Sequence, residues 1–193
     1  MDVPQISVIV GTNRRNWLAN CMQQYHNQSR GSLRSELIVV AEGDESKFIA
    51  VKKRWASDTF VCKPDETWSG DGAKDLGITL ATGEYVCFWD DDNIYHPHAL
   101  ATLYATAKGY DIGIVKINIH GPDNFFLLPQ AEELGMGLCD TMNFCVRREL
   151  ALQETWMAGE NDYCDDWNWM SRLLAKNPSV RNVDISIGEK LNR

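Results

Sequence analysis

Short β-branched, apolar runs alternate with segments of helical period through the first half of this chain, and that alternation most limits the folds open to it. Ile6-Ser7-Val8-Ile9-Val10 ends at Gly11 and reads as a buried strand. From about Trp17 to Tyr25, Leu18, Cys21, Met22 and Tyr25 fall at helical spacing. Glu36-Leu37-Ile38-Val39-Val40 is a second strand closed by Gly43, and Thr59-Phe60-Val61-Cys62 a third, with a short helix from Phe48 to Trp55 between them. Asp71 to Leu80 reads as helix, Glu84 to Trp89 as a fourth strand, and Pro97 is expected to open a helix that runs to about Lys108. Strands that alternate with helices argue an α/β fold with a mostly parallel central sheet flanked by helices, and such sheets bind ligands at the carboxyl ends of their strands.

The second half is less regular. Ile112 to Ile119 is a strand, Gly121 to Gly137 reads as a long loop, Asn143 to Val146 as a strand, Asp165 to Ala175 as a helix, and Val180 to Ile187 as a last strand. The 193 residues carry no repeat or Pro/Gly/Ser linker, so a single domain over residues 1–193 is expected. A net charge of −8 argues against a nucleic-acid partner, which would need basic clusters. No stretch approaches the length of a membrane span, which leaves only peripheral membrane contact open. The N-terminus has no basic segment ahead of an apolar run, and the six scattered cysteines form no CxxC pair. Reduced thiols in a cytoplasmic protein are the expectation.

Chemistry concentrates in two acidic clusters. Asp90-Asp91-Asp92-Asn93 follows the apolar run Tyr85 to Trp89, so a buried strand delivers three carboxylates to its own C-terminal end. Like charges this close require raised pKa values or a cation, and a hard divalent metal takes oxygen ligands and grips phosphates. Asp162, Asp165 and Asp166 form the second cluster, ahead of Trp167-Asn168-Trp169. Acids at a helix start complement its dipole, but three exceed that need. A carboxylate walled by indoles can have its pKa raised and serve as a general base. Trp68, Trp167 and Trp169 sit in polar company and are candidates for stacking on a sugar or base. Gly70-Asp71-Gly72-Ala73-Lys74-Asp75 lacks the spacing of either glycine-rich phosphate motif, and His96 and His98 have no partners that would make a zinc site.

The block from Gly72 to Asn93, GAKDLGITLATGEYVCFWDDDN, closely resembles the central block of family 2 glycosyltransferases with the GT-A fold. Ile6 to Arg14 is similar to that family's first strand and loop, Glu36 to Gly43 to its second strand, Phe144 to Leu150 to its acceptor-side segment, and Asp165 to Leu173 to its acidic helix. The resemblance implies transfer, with inversion, of a sugar from a nucleotide-diphosphate donor, with a UDP-sugar favoured, to a carbohydrate or glycolipid hydroxyl. Residues 1–93 would form the nucleotide-sugar half and 94–193 the acceptor and base half. Asp92, with Asp90, would bind Mn²⁺ or Mg²⁺; Asp90 or Asp91 would hold the ribose or a nearby cation. Lys74 would lie near the donor phosphates, and Thr12 and Glu42 at the nucleoside. Asp166 would deprotonate the acceptor, with Asp165 beside it in the pair. The chain reads Gly11-Thr12-Asn13-Arg14 where the family commonly has Pro-Thr-aromatic-Asn, and Ala41-Glu42 where two acids are usual. Two rivals remain at this point: a sugar-phosphate nucleotidyltransferase, and a degenerate nucleotide-sugar-binding protein that keeps only the fold.

Overall fold

A computed structural model describes residues 3–13, 15–63, 70–120, 125–128, 134–156 and 165–191. Its elements in chain order are β1 (Ile6–Thr12), α1 (Arg15–His26), β2 (Ser35–Glu42), α2 (Ile49–Arg54), β3 (Thr59–Lys63), α3 (Asp71–Leu80), β4 (Tyr85–Phe88), β5 (Ile94–Tyr95), α4 (Ala99–Ala107), β6 (Ile112–His120), β7 (Phe125–Leu128), β8 (Phe144–Arg147), α5 (Arg148–Ala151), α6 (Asp165–Leu174) and β9 (Val180–Leu191). The strands form one sheet in the order β3-β2-β1-β4-β8-β6-β9-β5, with β7 on β6. The pairs β2–β3, β1–β2 and β1–β4 are parallel, as is β6–β9; β4–β8, β6–β8, β6–β7 and β5–β9 are antiparallel.

Strand side chains alternate between two faces, and each face has its own apolar core. Val8, Val10, Leu37, Val39, Tyr85, Cys87 and Trp89 pack under α1, α2 and α4 through Leu18, Met22, Val51, Leu100 and Leu103. Ile9, Ile38, Val40, Val86 and Phe88 pack under α3, α5 and α6 through Ala73, Ile78, Ala151, Trp169, Met170 and Leu173. Burial on both faces is why these strands read as continuous apolar runs. Full burial of one such aliphatic side chain contributes about 1.5–3 kcal/mol.

Helix α3 lies unusually close to β1. A Cβ on Gly77 would come 2.3 Å from Cγ2 of Ile9, and one on Gly11 would come 3.0 Å from Cβ of Ala73. Gly70, at φ 74°, turns the chain into the helix in a conformation that glycine adopts without strain.

The strand ends and helices of the first half match the sequence pattern to within a few residues. Pro97 lies in a turn, and α4 begins two residues later at Ala99. The expected loop of Gly121 to Gly137 contains β7, which pairs antiparallel with β6 from Ile117↔Leu128 to His120↔Phe125. No helix among the described residues is long and apolar enough to cross a membrane. Cys21, Cys62, Cys87, Cys139 and Cys145 are free thiols; Cys164, like Asp162 and Trp68, lies outside the described residues.

Candidate active site

Three parallel strands bring their carboxyl ends to one edge. Register pairs Thr12 of β1 with Ala41 of β2, and Ile9 with Phe88 of β4, so Thr12, Glu42 and the Asp90 turn all emerge there. Thr12 and Glu42 are buried, at 5% and 2% exposure. Lys63 of β3 reaches within 4.0 Å of the Glu42 carboxylate. The β4 pairing continues one residue further through the Trp89 N–H, which donates to the Ile9 carbonyl at 2.9 Å. The chain then turns sharply.

Each residue of the turn has a different role. Asp91 is fully buried, and its Oδ2 accepts the Thr12 hydroxyl across the β1–β4 seam. Asp90 is half-buried; its N–H takes the Tyr95 hydroxyl as acceptor at 2.7 Å, and its Oδ2 accepts from Asn93 Nδ2 at 3.1 Å. The buried Asn93 also accepts the Leu191 N–H at 3.2 Å, which ties the turn to the end of β9. Asp92 is half-buried. Removal from water pushes the Asp90 carboxyl up to about 6; Asp140 and Asp92 add to the rise, and Lys190 and Lys74 oppose it.

Facing this turn are α3 and α6. The Lys74 ammonium lies 3.4 Å from Asp71 Oδ1 and 3.8 Å from Asp166 Oδ1, and 4.3 Å from the centre of the Trp156 ring. Burial alone would lower the Lys74 pKa; Asp166, Asp90 and Asp71 more than offset that, and the net shift is upward. Lys74 is therefore a fixed positive charge. Asp166 stands in the first turn of α6, its side chain 28% exposed, with half-buried Asp165 beside it. Its carboxyl is pushed up to about 7, chiefly by removal from water, then by Asp140 and Asp90 against the pull of Lys74 and Lys190. A carboxylate poised near neutrality is suited to take a proton from a hydroxyl.

The aromatic wall differs in one respect from the sequence reading. Trp169 is fully buried, stacked on Trp156 at 4.4 Å and 12°, with Phe88 edge-on to both. It is core and has no face left for a sugar or base, because the apolar side of α6 runs through Trp169, Met170 and Leu173. Trp167 is half-buried.

Sequence reasoning missed three contributors. Asn93 was seen only as the end of an acidic run. Asp140 and Lys190 carry no local motif, yet their ion pair lies close enough to Asp90 and Asp166 to shift both.

Among the described residues, no group of three His, Cys, Asp or Glu forms a ready metal cage. The donor set still fits a hard divalent ion. Mg²⁺-like cations are commonly held by one or two carboxylates together with substrate phosphates, and Asp90 and Asp92 offer oxygens in a site with excess negative charge.

A helix-flanked sheet with a carboxylate turn at the end of its fourth strand, and a second carboxylate on a neighbouring helix, defines a GT-A domain. The model of "Glycosyl transferase family 2" matches residues 7–170, and the chain belongs to that family. It is 28% identical over 174 residues to glycosyltransferase GlyG of Streptococcus pneumoniae serotype 4, covering 86% of this chain and 52% of GlyG. It therefore spans about half the length of that relative. Among solved structures, S. aureus TarS residues 1–349 in complex with UDP superposes with a TM-score of 0.76 at 14% identity, over 97% of this chain and 60% of that one. Mannosyltransferase PcManGT from Pyrobaculum calidifontis, in complex with GDP-Man and Mn²⁺, gives 0.76 at 16% identity, over 98% and 57%. At these identities the structural likeness speaks to the fold.

Proposed function

We propose that the chain transfers a sugar from a nucleoside diphosphate donor to a hydroxyl of a carbohydrate or glycolipid, with inversion at the anomeric carbon and with help from Mn²⁺ or Mg²⁺. The observation that carries this reading is the placement of Asp166, a carboxylate near neutral pKa, within electrostatic reach of the Asp90 turn, with Lys74 acting on both. One wall can hold a departing diphosphate while the other activates the incoming hydroxyl. The complexes of TarS with UDP and of PcManGT with GDP-Man and Mn²⁺ support a nucleotide-sugar donor.

In this reading residues 1–93 form the donor half and 94–193 the acceptor half. Thr12 and Glu42 border the nucleoside, Asp91 steadies the turn through Thr12, and Asp90 and Asp92 hold the cation. When bound, that cation supplies positive charge to the leaving diphosphate. Lys74 adds a fixed ammonium near the phosphates and keeps Asp166 ionised. Asp166, with Asp165 beside it, takes the acceptor proton as the hydroxyl oxygen attacks from the face opposite the leaving group. UDP is the nucleotide we favour, and the cytoplasm, where thiols stay reduced, is the compartment.

The test is calorimetric titration of UDP and GDP with and without Mn²⁺, followed by product analysis with the matching nucleotide sugars. Metal-dependent binding of a diphosphate is expected. Absence of binding by either nucleotide sinks the donor site. Pyrophosphate release from a nucleoside triphosphate plus a sugar phosphate would support the nucleotidyltransferase rival instead.

A further inference from the structure

One ion pair is unused by that mechanism. Near the end of β9 the Lys190 ammonium rests on Oδ2 of Asp140, whose other oxygen accepts the Met142 N–H at 3.0 Å and caps the short helical turn Thr141–Asn143. Strand pairing fixes where this happens. Ile94 of β5 pairs with Glu189, so the residue after Glu189 lies beside the carboxylate turn. The Asn93 carboxamide closes the link: it accepts from the Leu191 N–H at 3.2 Å and donates to Asp90 Oδ2 at 3.1 Å. A single side chain thus joins Asp90 to the main chain next to Lys190.

Exposure separates the two partners. The Asp140 side chain is 2% exposed, whereas that of Lys190 is 34% exposed. An ammonium has three N–H donors, and among the described residues Asp140 is the one hydrogen-bond acceptor that Lys190 meets. The anion is sealed in, and the cation stays partly open to solvent within electrostatic reach of both Asp90 and Asp166. Lys74 arrives at the same two carboxylates from α3, which packs over β1, while β9 lies beyond β8 and β6 in the sheet. The two lysines therefore approach the acidic centre from opposite sides of the sheet order.

We propose that Lys190 is a second cationic anchor for the leaving diphosphate, aimed by its tether to Asp140. This inference rests on the donor-site reading above. It adds a donor contact from the far end of the half otherwise given to the acceptor. Its chemistry is a charge-assisted N–H···O contact that strengthens as negative charge builds on the departing phosphate.

The test compares the wild type, Lys190→Met, Lys190→Arg and the double variant Asp140→Asn/Lys190→Met by calorimetry with UDP, UMP and uridine in Mn²⁺. For Lys190→Met, UDP affinity should fall about tenfold or more, the loss of one charged hydrogen bond, with uridine affinity nearly unchanged. Lys190→Arg should recover most of the loss. The double variant removes both charges, so it leaves no buried carboxylate without its partner, and its UDP affinity should stay low. UDP binding at wild-type strength in Lys190→Met, or its recovery in the double variant, assigns the pair to the fold alone and overturns the proposal. A wild type that binds neither UDP nor GDP, in a folded state verified by its melting curve, overturns the donor-site reading as well. Weak UDP binding confined to Lys190→Met and the double variant is the result that supports both.

Discussion

The two walls of the cleft hold their carboxylates by different means. On the strand-end wall, hydrogen bonds do the work: Thr12 secures Asp91, Asn93 and Tyr95 secure Asp90, and all belong to a frame tied to β1, β4 and β9. On the helical wall, Asp166 depends on charged neighbours, nearest of them Lys74, which is itself set over the Trp156 ring, with Lys190 adding to its pull. The first arrangement fixes geometry and leaves charge to be balanced by whatever binds. The second fixes charge balance through cations, chiefly Lys74. Position and ionisation are thus controlled on separate walls.

The largest effect should come from Asp166→Asn, which removes the base. Turnover should drop about 10³-fold while UDP affinity stays within about twofold of wild type, measured by single-turnover product formation and calorimetry. If turnover persists, Asp165 inherits the role. The same change tests the charge argument through stability. Because the folded pKa of Asp166 lies above its ordinary value, the folded state binds the extra proton, and that contribution is lost as pH rises from about 4 through about 7. Asp166→Asn should therefore melt higher than wild type at pH 8, by roughly 2 °C or more, and the gap should close toward pH 4.

Lys74→Met should come next. Without its cation the Asp166 carboxyl rises further, so the acid limb of the kcat/KM profile moves to higher pH and activity at pH 7 falls about tenfold or more. An unmoved limb would break the claim that Lys74 is the main cation setting the charge on this wall. Asn93→Ala probes the opposite wall: UDP–Mn²⁺ binding should weaken several-fold, as about one hydrogen bond is lost at Asp90, with no movement of the pH limb. A shift in that limb would show that the two walls are not independent. Thr12→Val should have the smallest effect on chemistry and a clear one on stability. It removes a hydroxyl from a buried carboxylate, at a cost of about 1.5–3 kcal/mol, seen as a lower melting temperature.

Legibility in the sequence followed the same divide. The parallel strands were readable because Ile6 to Val10, Leu37 to Val40 and Tyr85 to Trp89 are apolar on both faces, and their ends placed Thr12, Glu42 and Asp90 together by topology alone. Lys74 was readable only through resemblance. Asn93, Asp140 and Lys190 were not legible as site residues. They meet because β9 returns across the sheet to pair with β5, a contact of long sequence separation that leaves no local pattern. β7 was hidden because its four residues sit inside a stretch broken by Pro122 and Pro129. Trp169 was misread from its polar neighbours in sequence, whereas helical geometry turns it inward beside Met170 and Leu173.

Gly77 has a consequence for how the site endures change. It lies one turn beyond Lys74 on α3, where the helix backbone meets the Ile9 side chain with no room for a methyl group. That contact works as a mechanical stop. The ammonium's height above the sheet is set by the bare main chain of Gly77 resting on the branched side chain of Ile9. Surface positions of α3 are free to drift while the charge they carry past the cleft stays in place. A single methyl at position 77 would act as a wedge under the whole lever.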